Sequence, residues 1–330
     1  MKKLLIIFLA SFLVFFLLAA GAGTIAYQQL LPAKPNQNEK VNFVVPKGQS
    51  TIVIGQRLQS QGLIKNSLAF RYIVWREKLG NKIQAGTFFL SPSMSVMAIA
   101  QELTTGTNDL WVKVLEGWRV EEIADSLRDQ KVSESLDNFD RQEFLNLAKS
   151  QEGYLFPDSY LVPRAASADT IVTLLRNTFD KKVQEGLKTQ LAQSKLSLAD
   201  VVTFASLVQR EAGDPTQMKV VAGILQNRLD KGMGLNVDAT LQYAKGYDST
   251  LKTWWPQPLA ADREISSPFN SYKYNGLPPH PICNPGLDAI QAVLSPQKSN
   301  NLYYIHDRQG NIHVAVTLEE QTKNINTYLR

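Results

Sequence analysis

"SLADVVTFASLVQREAGDP", residues 197–215, is the stretch on which the reading of the fold turns. Val201, Phe204, Ala205, Val208 and Ala212 follow the 3.6-residue period, which predicts an amphipathic helix. Ser197 suits its N-cap, Asp200 adds a favourable charge in the first turn, and Gly213-Asp214-Pro215 stops it. Glu211 breaks the pattern. It lies three positions after Val208, four after Leu207 and seven after Phe204, and so shares their apolar face. Arg210 points about 100° away around the helix and is not its obvious ion partner. A carboxylate on an apolar face loses water, and the nearby negative end of the helix dipole pushes the same way, so its pKa rises. A carboxyl kept protonated near neutral pH suits general-acid work. The plain alternative is a rim glutamate that reaches water or pairs with a distant arginine.

Outward from this helix, periodicity predicts helices over 169–188 and 216–231 and a connecting helical region over 128–150. "EGYLFPDSYLVPR" (152–164) opens the second half of the chain. Residues 253–286 are rich in prolines and aromatics and have little periodicity; a long irregular loop inside a compact domain tends to be functional. "LYYIHDRQGNIHVAV" (302–316) reads as a β-hairpin around Gln309-Gly310-Asn311, and Thr317-Leu-Glu-Glu320 is a capping box opening the last helix.

Nearer the N-terminus one outline recurs: a short β-rich run, a turn, a Ser or Thr cap, then a helix period. It appears in "FVVPKGQSTIVIGQRLQSQG" (43–62), in "TFFLSPSMSVMAIAQELTTG" (87–106), and more loosely in "VKVLEGWRVEEIADSL" (112–127). These units suggest a small LysM-like α+β module over 41–127. Carbohydrate binding does not follow from the pattern. Residues 32–40, "PAKPNQNEK", read as a polar tether.

Lys2 and Lys3 precede an uncharged run from Leu4 to Tyr27, longer than the roughly 20 residues a bilayer-spanning helix needs. A cleavable signal peptide is the rival, because Ala20-Gly21-Ala22 resembles a cleavage site. The length of the run favours an uncleaved single-pass anchor over residues 1–31, with the N-terminus inside and the rest of the chain outside the cytoplasmic membrane. The expected fold class is therefore α+β: a transmembrane helix, the LysM-like module, and a mixed α/β catalytic domain over 128–330 with a helical core and a β-hairpin.

The net charge of +5 is mild, and no dense basic stripe points to nucleic acid. Cys283 is the single cysteine, so no internal disulfide framework forms. Three histidines and no HExxH or paired CxxC argue against a metal site, and no cofactor is expected. There is no G-x-S-x-G elbow for a serine hydrolase.

A lone protonated carboxyl beside aromatic surface suggests glycosidic chemistry, since aromatic rings stack on sugar faces. The 253–286 loop offers Trp254, Trp255, Phe269, Tyr272 and Tyr274. Ordinary glycosidases need two carboxylates. Asp238, in "NVDATLQY", is the second acid in a motif-like setting, with an Asx-turn or helix-cap role as its structural alternative.

The ordered series "VPKGQS", "AGTFFLSPSMS", "LEGW", "EGYLFPDSY", "FASLVQREAG", "VAGILQNRL", "LNVDAT", "SPFNSYKYNGLPPHPICNPG" and "LYYIHD" resembles the YceG-like, or endolytic murein transglycosylase, family over nearly the whole chain. The resemblance implies cleavage of the β-1,4 bond after N-acetylmuramic acid inside peptidoglycan strands, leaving 1,6-anhydro ends. It implies that Glu211, which matches the second glutamate of the family's pattern on this helix, is the catalytic acid/base, while Gln209 stands where the family carries the first. It further implies groove roles for Asn227, Asp238, Thr240, Tyr243, Asn270, Tyr272 and Asn284, each of which has a loop-bracing reading beside it. Association with the cytoplasmic membrane and with peptidoglycan synthases (penicillin-binding proteins) is implied too. Ala212, Ala239, His280 and Gln321 depart from the family pattern. Two other functions stay open: a hydrolase using Asp238 as second carboxylate, and a non-catalytic wall-binding scaffold.

Overall fold

Two units follow one another along the chain, one ending at Asp109 and one running from Leu110 to Arg330. The computed structural model describes residues 12, 13, 16, 18, 20, 21, 23–106, 109–128, 136, 139–164 and 166–330. Most of the expected N-terminal span lies outside the described residues. Among those that are described, no helix is long and apolar enough to cross a membrane.

The first unit runs β1 (Val41–Val45), α1 (Thr51–Ser60), α2 (Ser67–Arg76), β2 (Gly86–Leu90) and α3 (Val96–Thr105). The two strands pair antiparallel, from Val41 opposite Leu90 to Val45 opposite Gly86. Both expected caps form: Ser50 Oγ accepts from the Val53 amide at 3.4 Å and Ser95 Oγ from the Ala98 amide at 3.1 Å. Phe43, Ile54, Leu58, Phe70, Phe88, Ile99 and Leu103 make one core between strands and helices.

Helix α2 was not foreseen. Its sequence, SLAFRYIVWR, is dense in aromatic and β-branched residues that locally favour a strand. The Asn66 side chain starts it by accepting from the Leu68 amide at 2.7 Å, and packing of Phe70, Ile73 and Val74 decides the outcome. The segment read as a tether is fastened instead. The Lys34 amide donates to the Pro92 carbonyl at 2.9 Å, and the Ser91 hydroxyl donates to the Gln37 carbonyl at 2.9 Å.

The second unit contains β3 (Asp109–Lys113), α4 (Val120–Arg128), α5 (Arg141–Ala148), β4 (Ser159–Pro163), α6 (Ala168–Phe179), α7 (Lys188–Gln193), α8 (Leu198–Glu211), α9 (Pro215–Asp230), α10 (Asp238–Lys245), α11 (Leu287–Leu294), the hairpin β5 (Tyr303–His306) and β6 (Ile312–Ala315), and α12 (Leu318–Tyr328). Strands β3 and β4 pair, and Val112, Ile123, Phe144, Leu155, Tyr160 and Ile171 form a core beside them. Residues 110–127, read from sequence as the end of the first module, thus bury their apolar side chains in the second unit. The helix anticipated over 169–188 widens to a π-helical turn at Asp180–Glu185 before α7.

The core that positions the site is α8 packed on α9 and α11, through Val202, Phe204, Val208, Val221, Leu225 and Ile290. Gly223 marks how tightly α9 meets the chain after α11: a Cβ there would collide with the Gln297 carbonyl. Buried Ser206 stitches the irregular loop to α8, since its hydroxyl accepts from the Ile282 amide at 3.0 Å. The 253–286 segment holds one short 3-10 turn, Ala260–Glu264, and is otherwise irregular. The hairpin pairs Tyr303 with Ala315 and His306 with Ile312, and Thr317 and Glu320 form the expected capping box.

Candidate active site

Helix α8 delivers Glu211 on its last turn, where the apolar stripe meets the surface. Ser197 Oγ caps the other end by accepting from the Asp200 amide at 3.1 Å. The Ala212 amide still bonds to the Val208 carbonyl, but Ala212 itself is extended, so the chain leaves the helix at once. Asp214 then caps α9, accepting from the Thr216 and Gln217 amides, with Pro215 opening the helix.

Glu211 lines a cavity of about 240 Å³ with Arg228, Asn236, Asp238, Tyr272 and Tyr304. The Tyr304 hydroxyl donates to Glu211 Oε2 at 2.7 Å. Across the cavity the Tyr272 hydroxyl donates to Asp238 Oδ1 at 2.6 Å. Loss of water pushes the Glu211 carboxyl above its usual range. The Tyr304 hydrogen bond works against that shift, the Asp238 charge adds to it, and Arg210 opposes it weakly. Tyr304 is itself pushed well up by burial and by the facing Glu211 charge. Arg210 takes no part in an ion pair with Glu211. Its guanidinium stacks 3.8 Å from the Trp255 ring centre.

The structure brings three sequence-predicted residues together, Glu211, Asp238 and Tyr272. The others lie elsewhere. Thr240 is fully buried, its hydroxyl donating to the Val237 carbonyl at 2.7 Å beside Ser271. Asn270 is also fully buried and braces its loop through the Arg263 and Ile265 carbonyls, both at 2.9 Å. Asn227 donates to the Ser299 and Asn301 carbonyls, fixing the approach to the hairpin. Asn284 accepts from the Leu155 amide and donates to Glu152 and the Trp118 carbonyl.

Of the loop aromatics proposed for stacking, Trp255 donates to Glu122 at 2.9 Å and carries Arg210, while Trp254 lies against Arg119 and Tyr247. Phe269 packs between Tyr243 and His280. Only Tyr272 reaches the cavity, and Tyr274 stays half-exposed. Among the described residues no cluster of histidine, cysteine and carboxylates has the form of a metal site.

A model of the YceG-like family matches residues 43–327. The chain belongs to the YceG-like family. An endolytic murein transglycosylase of Bacillus subtilis (strain 168) is 31% identical over an alignment of 338 residues, covering 95% of this chain and 91% of the relative. One from Streptococcus pneumoniae (serotype 2, strain D39) is 28% identical, and the alignment covers 96% of this chain and 64% of that protein. A crystal structure of a YceG-like protein from Listeria monocytogenes aligns with a TM-score of 0.54 at 29% identity, over 86% of this chain and 99% of that one.

Two functional candidates of this YceG-like chain escaped the sequence reading. Tyr304 sits 93 residues from its partner, and its only signal was a tyrosine in a predicted hairpin. The last helix secures it, because Gln321 Nε2 donates to the Tyr304 carbonyl at 3.0 Å. Glu152 is the other. It is 4% exposed and accepts from the Val120 amide at 3.2 Å and from Asn284 at 2.9 Å. Burial pushes its carboxyl up to about 8. It lines a second, larger cleft of about 700 Å³ with Glu121, Lys149, Tyr243 and His280. Nothing local in "EGYLFPDSY" announces a buried acid, because the groups that enclose it come from residues 120 and 284.

Proposed function

We propose that the protein is a membrane-anchored endolytic murein transglycosylase, a lyase, with Glu211 as its acid/base. One observation carries this reading: the Glu211 carboxyl, raised by burial and steadied by Tyr304, lines a cavity that also holds Asp238 and Tyr272. In the first step the Glu211 carboxyl gives its proton to the glycosidic oxygen as the bond to the muramyl C1 breaks. The resulting carboxylate then takes the proton of the muramyl C6 hydroxyl as that oxygen attacks C1. A 1,6-anhydro end forms, Glu211 is protonated again, and no water is consumed. The nucleophile belongs to the sugar, so one carboxylate suffices where a hydrolase needs two.

The uncharged run after Lys2 and Lys3 supports a single-pass anchor with the catalytic unit outside. The β–α–α–β run from β1 to β2, which α3 follows in the first unit, supports the LysM-like reading. Action on strands beside peptidoglycan synthases follows from that placement.

The test is digestion of purified peptidoglycan by the full chain in detergent, with products identified by mass spectrometry. Anhydro-muramyl ends are expected, and Glu211→Gln is expected to slow their formation by about 10³-fold or more. Reducing ends would replace the lyase by a hydrolase that uses Asp238. Glycan binding without cleavage by either form would make the protein a scaffold.

A further inference from the structure

Helix α2 of the first unit buries one side and leaves the other bare. Leu68, Tyr72 and Trp75, at i, i+4 and i+7, form one face and are 63%, 48% and 75% exposed. Ile52 of α1, 45% exposed, lines the same concavity with Leu68, Tyr72 and Trp75. Single exposed apolar residues are ordinary, but a contiguous group with a largely exposed tryptophan marks a contact surface. Its surroundings are cationic: between residues 65 and 82 stand Lys65, Arg71, Arg76, Lys78 and Lys82 against the single acid Glu77.

The same helix borders the chain that leaves the apolar N-terminal run. Ala26, Tyr27 and Leu30 share a cleft of about 480 Å³ with Leu68, Ala69 and Tyr72. The Lys65 amine donates to the Gln28 carbonyl at 3.2 Å, and the Val96 amide to the Leu30 carbonyl at 3.1 Å. With Lys34 and Gln37 also fastened, no slack separates the end of the run from this unit. Tryptophan and tyrosine beside lysine and arginine, next to the end of a long apolar run, is the composition of a lipid–water interface. Leucine and isoleucine add nothing to sugar stacking, whereas acyl chains accept them.

We propose that this face of α2 is a membrane-seating surface. Leu68, Tyr72 and Trp75 enter the outer headgroup region, and Arg71 and Lys78 meet the phosphates of anionic phospholipids. The assignment rests on residues 4–27 being an anchor, and the test separates the two claims.

The full chain is reconstituted into phosphatidylglycerol–phosphatidylethanolamine vesicles whose acyl chains are brominated near the headgroup. The Trp75 emission is taken as the difference between wild type and Trp75→Phe. Quenching of that difference by about twofold or more, in vesicles that float and resist carbonate washing, supports both claims. Quenching in protein that carbonate strips off supports the surface and removes the anchor. Unquenched Trp75 in carbonate-resistant vesicles overturns the surface and leaves the anchor. Failure to float overturns both. A Trp75 signal that ignores bromolipid and changes with soluble muramyl glycan fragments overturns the lipid assignment in favour of a sugar site.

Discussion

Glu152 makes the stability of the second unit depend on pH in a direction opposite to that of a carboxylate held in an ion pair. Its ordinary value is 4.5 and its folded value about 8, because burial strips the carboxyl of water, which outweighs the opposing hydrogen bond from the Val120 amide. In the unfolded chain the group is ionised above pH 5, while in the fold it keeps its proton. Folding therefore takes up a proton, so the stability present below pH 4.5 is lost as pH rises towards 8. At about 1.4 kcal/mol for each decade of pH, Glu152 alone removes about 3 kcal/mol between pH 5 and pH 8. A unit of this size moves by roughly 2–4 °C per kcal/mol, so the drop amounts to about 6–12 °C in Tm.

Calorimetry of wild type and Glu152→Gln across that range isolates this contribution. Glutamine has one carbonyl for two donors, the Val120 amide and the Asn284 side chain, so its amide nitrogen faces one of them. That mismatch costs about 1–3 kcal/mol, but equally at every pH. The variant is therefore expected to begin less stable at pH 5 and to gain about 3 kcal/mol on wild type by pH 8. Parallel Tm curves would show that Glu152 is ionised in the fold and would refute the reasoning.

Tyr304→Phe removes the donor that favours the Glu211 carboxylate, so the alkaline limb of the pH–rate profile for cleavage is expected to move to higher pH. A loss of rate with an unmoved limb would leave Tyr304 a purely structural role. Asp238→Asn removes a charge that raises Glu211 and is expected to move the same limb to lower pH, with anhydro products retained; loss of all cleavage would count against a single-carboxylate mechanism. Gly153→Ala forces a side chain at φ +88° into the Pro281 ring and to 2.9 Å from a Val202 methyl. It is expected to cost about 2–5 kcal/mol in denaturant unfolding. Gly310→Ala, at φ +85° with open space around it, is expected to cost only about 1–2 kcal/mol. Equal losses would show that packing at Gly153 contributes nothing.

What was legible in the sequence was local. Ser50, Ser95, Ser197 and Thr317 each cap the helix whose period follows them, because a cap acts within three residues. Glu211 was visible for the same reason, since helical spacing encodes which face is covered. Tyr304 and Glu152 were not, because their environments are supplied by residues far away in the chain. Asn270 and Asn284 show a further limit. An asparagine in an irregular loop reads alike whether it meets a ligand or its own backbone, and here the donors and acceptors of both are engaged by backbone groups, with Glu152 taking one more from Asn284. Trp254 and Trp255 looked free for stacking until Arg119, Arg210 and Glu122 were seen to occupy them. Helix α2 misled through composition: its aromatic and β-branched residues favour strands, and only tertiary burial of Phe70, Ile73 and Val74 makes them helical.

The hydroxyl that steadies Glu211 comes from the β-hairpin near the end of the chain, and the last helix holds that hairpin. A growing polypeptide that has emerged as far as Asn301 already carries Glu211, Asp238 and Tyr272, yet lacks Tyr304 and Gln321. The carboxyl acquires its partner only after residue 304 has been added. A ribosome that stalls between Asn301 and Tyr304 leaves a protein with its acid present and unbraced. The order of the residues along the chain thus delays assembly of the complete site until the hairpin and the helix behind it have been made.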